Sequence, residues 1–354
     1  MWPSLDERAL RLGDETVTYG ELLLVGAASG ELEQARSDTQ RALRVLNAHE
    51  DAVGGDELRR EAEAFRRQRR LHSGDDLKSW LEKRDLDDSR WSEHLRRSIA
   101  YRSDLVASPE PAASNEVEEA LIVDLACAGW WGRVAADVVR WWSAERARAR
   151  REISGTPSLV ATDDDRDRAE PPEAVAKRAA DVLPKLGTLD VNWCVDRLRV
   201  LETRRRAFDE VSASLREHEV VRRRIGEHSS DWMQYVYDEL VLPNRTSANE
   251  AVMCARDDGL APEEIASRAR VELKRRELRR DQVPMGIAAM LAGAIVGEVV
   301  GPFDGDDGVR VVWLRERREP SADDEKIREA AATELLADEL DRAAAGKAQV
   351  LGPL

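Results

Sequence analysis

A chain of 354 residues is longer than one hydrophobic core usually organises, so two or more packed units are expected. The formal net charge of −15 excludes general nucleic-acid binding, because phosphate affinity is built from clustered Lys and Arg, and runs such as Arg204-Arg205-Arg206 sit among Glu and Asp at helical spacing. Charged residues at 35% against 5% aromatic, with Ala, Arg, Glu and Leu dominant, predict a mainly helical protein. The longest apolar stretch, residues 285 to 300, is interrupted by Gly286, Gly293, Gly297 and Glu298 and is too short to span a bilayer. Met1-Trp2-Pro3-Ser4 shows no secretory pattern, so a cytoplasmic protein without membrane contact is expected. Cys127, Cys194 and Cys254 share no metal-type spacing, and neither a metal nor a cofactor is predicted.

Residues 9 to 25 read as strand, turn and helix start: Ala9-Leu10-Arg11-Leu12 alternates, Gly13-Asp14-Glu15 turns, and Thr16-Val17-Thr18-Tyr19 leads into Glu21-Leu22-Leu23-Leu24. Ala35, Ala42, Val45, Leu46 and Ala48 place a helix over residues 31 to 52. Leu58, Ala62 and Phe65 then set one apolar stripe on the next helix. Ser73, with Asp76 three residues on, caps another that buries Leu77, Trp80 and Leu81, and a third begins near Asp87 with Trp91, Leu95 and Ile99 on one face. Residues 117 to 151 read as a helix pair carrying Trp130-Trp131 and Trp141-Trp142, as buried core or module interface, with an exposed aromatic surface as the alternative. Gly155 to Glu173 is a polar, breaker-rich linker. Ala207-Phe208, Leu215 to Val221 and Asp231-Trp232 echo Ala64-Phe65, Leu77 to Leu81 and Trp91, which suggests a second helical module.

From Trp232 the composition turns strand-like, with Tyr235-Val236-Tyr237 and Leu240-Val241-Leu242 before Pro243. A helix beginning near Ser247 ends at Asp257-Asp258-Gly259, and Ala261-Pro262-Glu263-Glu264-Ile265-Ala266 starts another with Pro in its first turn. Two short strands, a helix and a hairpin follow, the hairpin formed by Gly297-Glu298-Val299-Val300-Gly301-Pro302-Phe303-Asp304 and Gly308-Val309-Arg310-Val311-Val312-Trp313-Leu314. Ser321 caps a final helix with Asp324 at the capping-box position, and Ile327, Leu335, Leu336 and Leu340 give it an apolar face.

The hairpin resembles the closing strand pair of parvulin-type prolyl isomerases, where a Gly-Glu-Val-Ser-Gly-Pro strand precedes a Gly-aromatic-His strand. The N-terminal order of Phe helix, cap, Leu-x-x-Trp-Leu and Asp-x-x-x-Trp is similar to the helical module of SurA- and PrsA-type chaperones. The resemblance implies an α+β, predominantly helical protein: a SurA-like module over 1–107, a Trp-rich helix pair over 115–153, a linker over 154–173, a second helical module over 174–231, a parvulin-like β/α domain over 232–315, and a C-terminal segment over 316–354 that returns to pack on the helical body. Arg310 stands where that family places a histidine, no histidine follows His228 on the first strand, and Val271 to Leu278 replaces a Gly-Gly-x-Leu-Gly segment. Isomerisation must lower a barrier of ~18–20 kcal/mol with a polar cluster beside a proline pocket, and a guanidinium cannot serve there as a neutral donor-acceptor. The expectation is a chaperone-like binder of an unfolded or precursor peptide, without catalytic residues, whose candidate contacts are Tyr235, Tyr237, Met285, Met290, Phe303, Arg310 and Trp313. The chain is also similar to peptide-maturation proteins of ribosomal-peptide clusters, which implies a peptide-modifying enzyme as a further partner. The alternatives are an active prolyl isomerase with a divergent site and a scaffold subunit of an enzyme complex.

Overall fold

In the computed structural model, which describes residues 4–49, 51–153, 171–182 and 189–352, a hairpin of β1 (Arg8–Leu12) and β2 (Glu15–Thr18) opens the chain. Gly13, at φ +64°, makes the turn, and the register sets Leu10 opposite Val17 and Leu12 opposite Glu15. Thr18 ends the hairpin and begins α1 (Tyr19–Ala28) in one step: its hydroxyl accepts from the Glu21 N–H, and the Glu21 carboxylate accepts from the Thr18 N–H at 2.7 Å. Nearly every position of α1 is buried. Gly26 is required there, because a Cβ would collide with the Trp130 indole.

Helices α2 (Glu31–Ala48), α3 (Gly55–Gln68), α4 (Gly74–Glu82), α5 (Asp88–Arg102), α6 (Ser114–Cys127), α7 (Trp130–Ile153), α8 (Pro172–Val182) and α9 (Val191–Leu215) follow. The caps at Ser73–Asp76 and Asp87 form as the sequence predicts. Trp130, Trp131 and Trp142 are buried and Trp141 packs beside them, so the paired tryptophans are core. Tyr19 meets Trp131 edge-on at 5.2 Å between ring centroids. A second cluster centres on Phe65, with Trp80 at 5.2 Å and Trp91 at 5.7 Å. The predicted linker falls largely outside the described residues.

The chain divides into two compact units, Met1–Val211 with Asp338–Leu354, and Ser212–Ala337. The second unit holds α10 (His218–Glu227), α11 (Ser229–Trp232), β3 (Gln234–Leu242), α12 (Arg245–Arg256), α13 (Pro262–Ala269), β4 (Leu273–Arg279), α14 (Met285–Gly293), β5 (Val299–Gly305) and β6 (Gly308–Arg318). Its four strands form an antiparallel sheet in the order β4-β3-β6-β5. Residues 273 to 279 make one strand where two short ones were expected, because they pair with β3 without a break from Gln234↔Arg279 to Leu240↔Leu273. Helix α12 is capped by Asn244, which accepts from the Ser247 N–H at 2.9 Å, so it starts ahead of Ser247.

The echo of the Phe65 module is not a second copy of it. Phe208 lies half-buried on α9 in the first unit, whereas Trp232 packs with Val221, Ile225 and Ile327 in the second. Ile327 and Leu335 of α15 (Glu325–Ala344) thus serve the second unit's core rather than the N-terminal helices. The cap of α15 is Asp324, which accepts from Lys326 N–H at 2.9 Å, while Ser321 Oγ accepts from Asp323 N–H. The return to the first unit is made by the end of α15 and by β7 (Ala348–Val350), which pairs antiparallel with β1 in a sheet ordered β2-β1-β7. Arg146 and Arg150 of α7 donate to the carbonyls of Ala343 and Arg342 at 3.3 and 3.0 Å. No helix among the described residues is long and apolar enough to cross a membrane.

Candidate functional site

Strand β3 distributes its side chains by simple alternation. Leu240 and Leu242 face α12 and α13, where they meet Ala251, Val252, Ile265, Val309, Val311 and Trp313. Tyr235 and Tyr237 face α14, where they meet Ile287, Leu291, Val300, Val312 and Leu314. Both tyrosines are buried, and burial followed by the charge of Glu239 pushes the Tyr237 phenol above its ordinary range.

The two acidic residues between these apolar positions, Asp238 and Glu239, are buried on opposite faces, each between arginines from both neighbouring strands. Asp238 accepts from Arg275 Nε of β4 at 2.9 Å and from Arg315 Nε of β6 at 2.5 Å. Burial by itself would raise the Asp238 carboxyl, but the hydrogen bonds and charges of Arg275 and Arg315 outweigh it and hold the group below the usual carboxylate range. Glu239 accepts from Arg276 Nε of β4 at 3.0 Å, and Arg310 Nε of β6 stands 3.2 Å from its other oxygen. Arg310 also pairs with Asp307, and its guanidinium lies over Gly305, where a Cβ would displace it.

The predicted contacts are therefore divided. Tyr235, Tyr237, Phe303, Met285 and Met290 belong to the α14 side, and Arg310 sits at its margin on Glu239. Trp313 lies on the other face, sealed under α12 and α13, and is a core residue. Tyr235 and Tyr237 are floor rather than contact surface, since their rings are covered. Met285 is 86% exposed and Met290 is 51% exposed; beyond the end of α14, Ile295 and Val296 are 77% and 60% exposed. Residues 283 to 297 contain no charge at all. Ile295, Val296 and the buried Asp238-Glu239 pair escaped the sequence reading. Adjacent acids inside an otherwise apolar strand were the available signal for the pair.

Glu239 of β3 and Arg310 of β6 form the two ends of one ion pair. A permanently charged guanidinium held by a carboxylate supplies no neutral donor-acceptor to a twisting amide. No group of three His, Cys, Asp or Glu side chains that could hold a metal ion occurs among the described residues.

A second polar centre lies in the first unit. Asp124 of α6 accepts from Thr39 Oγ1 of α2 at 2.9 Å and from Arg97 Nη2 of α5 at 2.8 Å, with His94 Nδ1 also at 2.8 Å. Burial pushes this carboxyl up, and His94 and Arg97 together pull it below the ordinary value. These bonds join three helices beside a cavity of ≈ 410 Å³.

No family model and no curated protein sequence matches this chain. Among solved structures it is similar to the peptidylprolyl isomerase PrsA of Bacillus anthracis, at 12% identity over 58% of this chain and 92% of that one, with a TM-score of 0.30. PrsA of Bacillus subtilis matches at 11% identity over 60% of this chain and 81% of that one, with a TM-score of 0.21. A match to one of two related SurA-like chaperones of Campylobacter jejuni has 7% identity, covers 58% and 84% of the two chains, and scores 0.18.

Proposed function

We propose that this protein is a chaperone-like binder of extended, apolar polypeptide segments, that the α14 side of the small sheet receives them, and that it does so without isomerising proline. The observation that carries this reading is the exposure of Met285, Met290, Ile295 and Val296 along one uncharged stretch. A helix that only covers a sheet turns charged residues to solvent, as α13 does with Glu263, Glu264 and Arg268. Helix α14 has none to turn, which supports a partner that covers its outer side. Methionine suits such a surface, since its unbranched, polarisable side chain adapts to differing client side chains. Client classes that fit are unfolded chains and a precursor peptide awaiting modification in the cytoplasm.

The test is binding of a permanently unfolded, labelled polypeptide to the full chain, compared with the Met285→Ser/Met290→Ser variant. Micromolar binding that weakens in the variant is expected; no binding to any unfolded or precursor peptide overturns the reading. A protease-coupled proline-peptide assay is run alongside. Acceleration of isomerisation that is abolished by Arg310→Ala would show an active, divergent isomerase instead.

A further inference from the structure

Resting on that reading, we propose that the outer edge of β4, at the opposite end of the sheet from β5, is a strand-addition site for acidic segments of the client, paired main chain to main chain. The sheet ends on β4, which gives alternate N–H and C=O groups to β3 and directs the intervening ones outward. The opposite edge is poorly suited to this. Strand β5 carries Pro302, which has no N–H, and its ladder with β6 shifts register between Val300 and Phe303.

Charge identifies the occupant. In a chain of net charge −15, β4 with the residue before it and the turn after it holds Lys274, Arg275, Arg276, Arg279 and Arg280 against Glu272, which stands 3.6 Å from Lys274, and against Glu277 and Asp281. A second copy of this chain brought edge to edge would set these cations against themselves, so the edge repels its own kind and attracts an acidic strand. Arg275 and Arg276 are also held in place from beneath, since each gives its Nε to a buried carboxylate, Asp238 or Glu239. A cation held in this way loses less side-chain freedom when a client docks.

Register adds a motif. Lys274, Arg276 and Leu278 stand opposite Glu239, Tyr237 and Tyr235, and so share the α14 face of the sheet. A strand laid along β4 places its own alternate residues beside these three. The preferred client segment therefore presents two carboxylates and one apolar side chain at alternate positions, apolar-x-acid-x-acid when it runs antiparallel to β4.

The full chain is titrated with labelled peptides built on Leu-x-Glu-x-Glu, and with versions carrying Gln or Lys in place of Glu. We expect the Glu peptide to bind about tenfold tighter than the Gln peptide and the Lys peptide weakest. Lys274→Glu should erase that order, and Arg276→Gln should reduce it. Hydrogen exchange should slow at amides of residues 273 to 279 when the Glu peptide is bound. Equal affinity for the three peptides, an order unchanged by Lys274→Glu, or unprotected β4 amides each overturn strand addition. If the peptides still bind and still depend on Met285 and Met290, the chaperone-like reading survives that result. If no peptide binds, both fail. A single-stranded oligonucleotide or anionic vesicles that outcompete the Glu peptide would also overturn the proposal.

Discussion

The two faces of the four-stranded sheet are made by the same strands and closed in different ways. On one side Leu240, Leu242, Val311 and Trp313 lie under two helices, α12 and α13, whose outer positions include Arg245, Glu250, Arg256, Glu263, Glu264 and Arg268. On the other side Tyr235, Tyr237, Val312 and Leu314 lie under a single helix whose outer positions are methionine, glycine and alanine. Apolar burial is complete beneath both. The difference lies in the outer layer, which carries charge over one face and only apolar side chains and glycine over the other.

The largest break in this contrast should come from the closed side. Trp313→Ala removes an indole from beneath α12 and α13 and should cost about 4 kcal/mol, the usual range for a large buried aromatic. The measurement is hydrogen exchange at the amides of β3 and β6. Client affinity should fall only in proportion to the folded fraction. A selective loss of affinity at full protection would mean that the closed face also touches client.

The next largest effect belongs to the carboxylate that braces that face. Asp238→Ala takes the shared acceptor from Arg275 and Arg315, which are 65% and 32% exposed and can regain water, and should cost about 2 kcal/mol. Acid should imitate it. Because the folded Asp238 carboxyl lies below its ordinary value of 3.8, its contribution is fully present above that pH and is lost as pH falls through the lower folded value. Asp124 shifts in the same direction and adds to the loss in the first unit. Acid unfolding of the Asp238→Asn protein should therefore show a shallower pH dependence below 3.8 than the parent.

How much of this could be seen in the residues depends on how local each signal is. The Ser73 and Asp87 caps, the separate apolar stripes that carry Phe65, Trp80 and Trp91, and the closing hairpin are written in spacings of a few residues, and they appear where expected. Trp313 was misassigned because alternation along β6 puts neighbouring residues on opposite faces, and only the cross-strand register decides which face is closed. Arg310 was legible as a missing histidine but not as a partner of Glu239, which is 71 positions away by the difference of those numbers. The C-terminal return was expected from α15 alone, yet three residues of β7 supply the strand pairing, and a strand that short has no readable periodicity.

The smallest effect on stability should accompany the most specific effect on binding. Met285 and Met290 are both more than half exposed, so replacing them with serine removes little packing and should change stability by no more than about 0.5 kcal/mol. If their outer surface receives client, the same change should weaken binding about tenfold, or about 1.4 kcal/mol. Met253 provides the matched control, since it is 61% exposed and stands on α12, over the closed face. Met253→Ser should leave affinity unchanged while altering surface hydrophobicity by the same kind of group. Equal losses from the two faces, read by anisotropy of a labelled unfolded chain, would reduce the contrast to generic stickiness. A loss confined to α14 would tie client binding to the one helix of the sheet that turns no charge to the solvent.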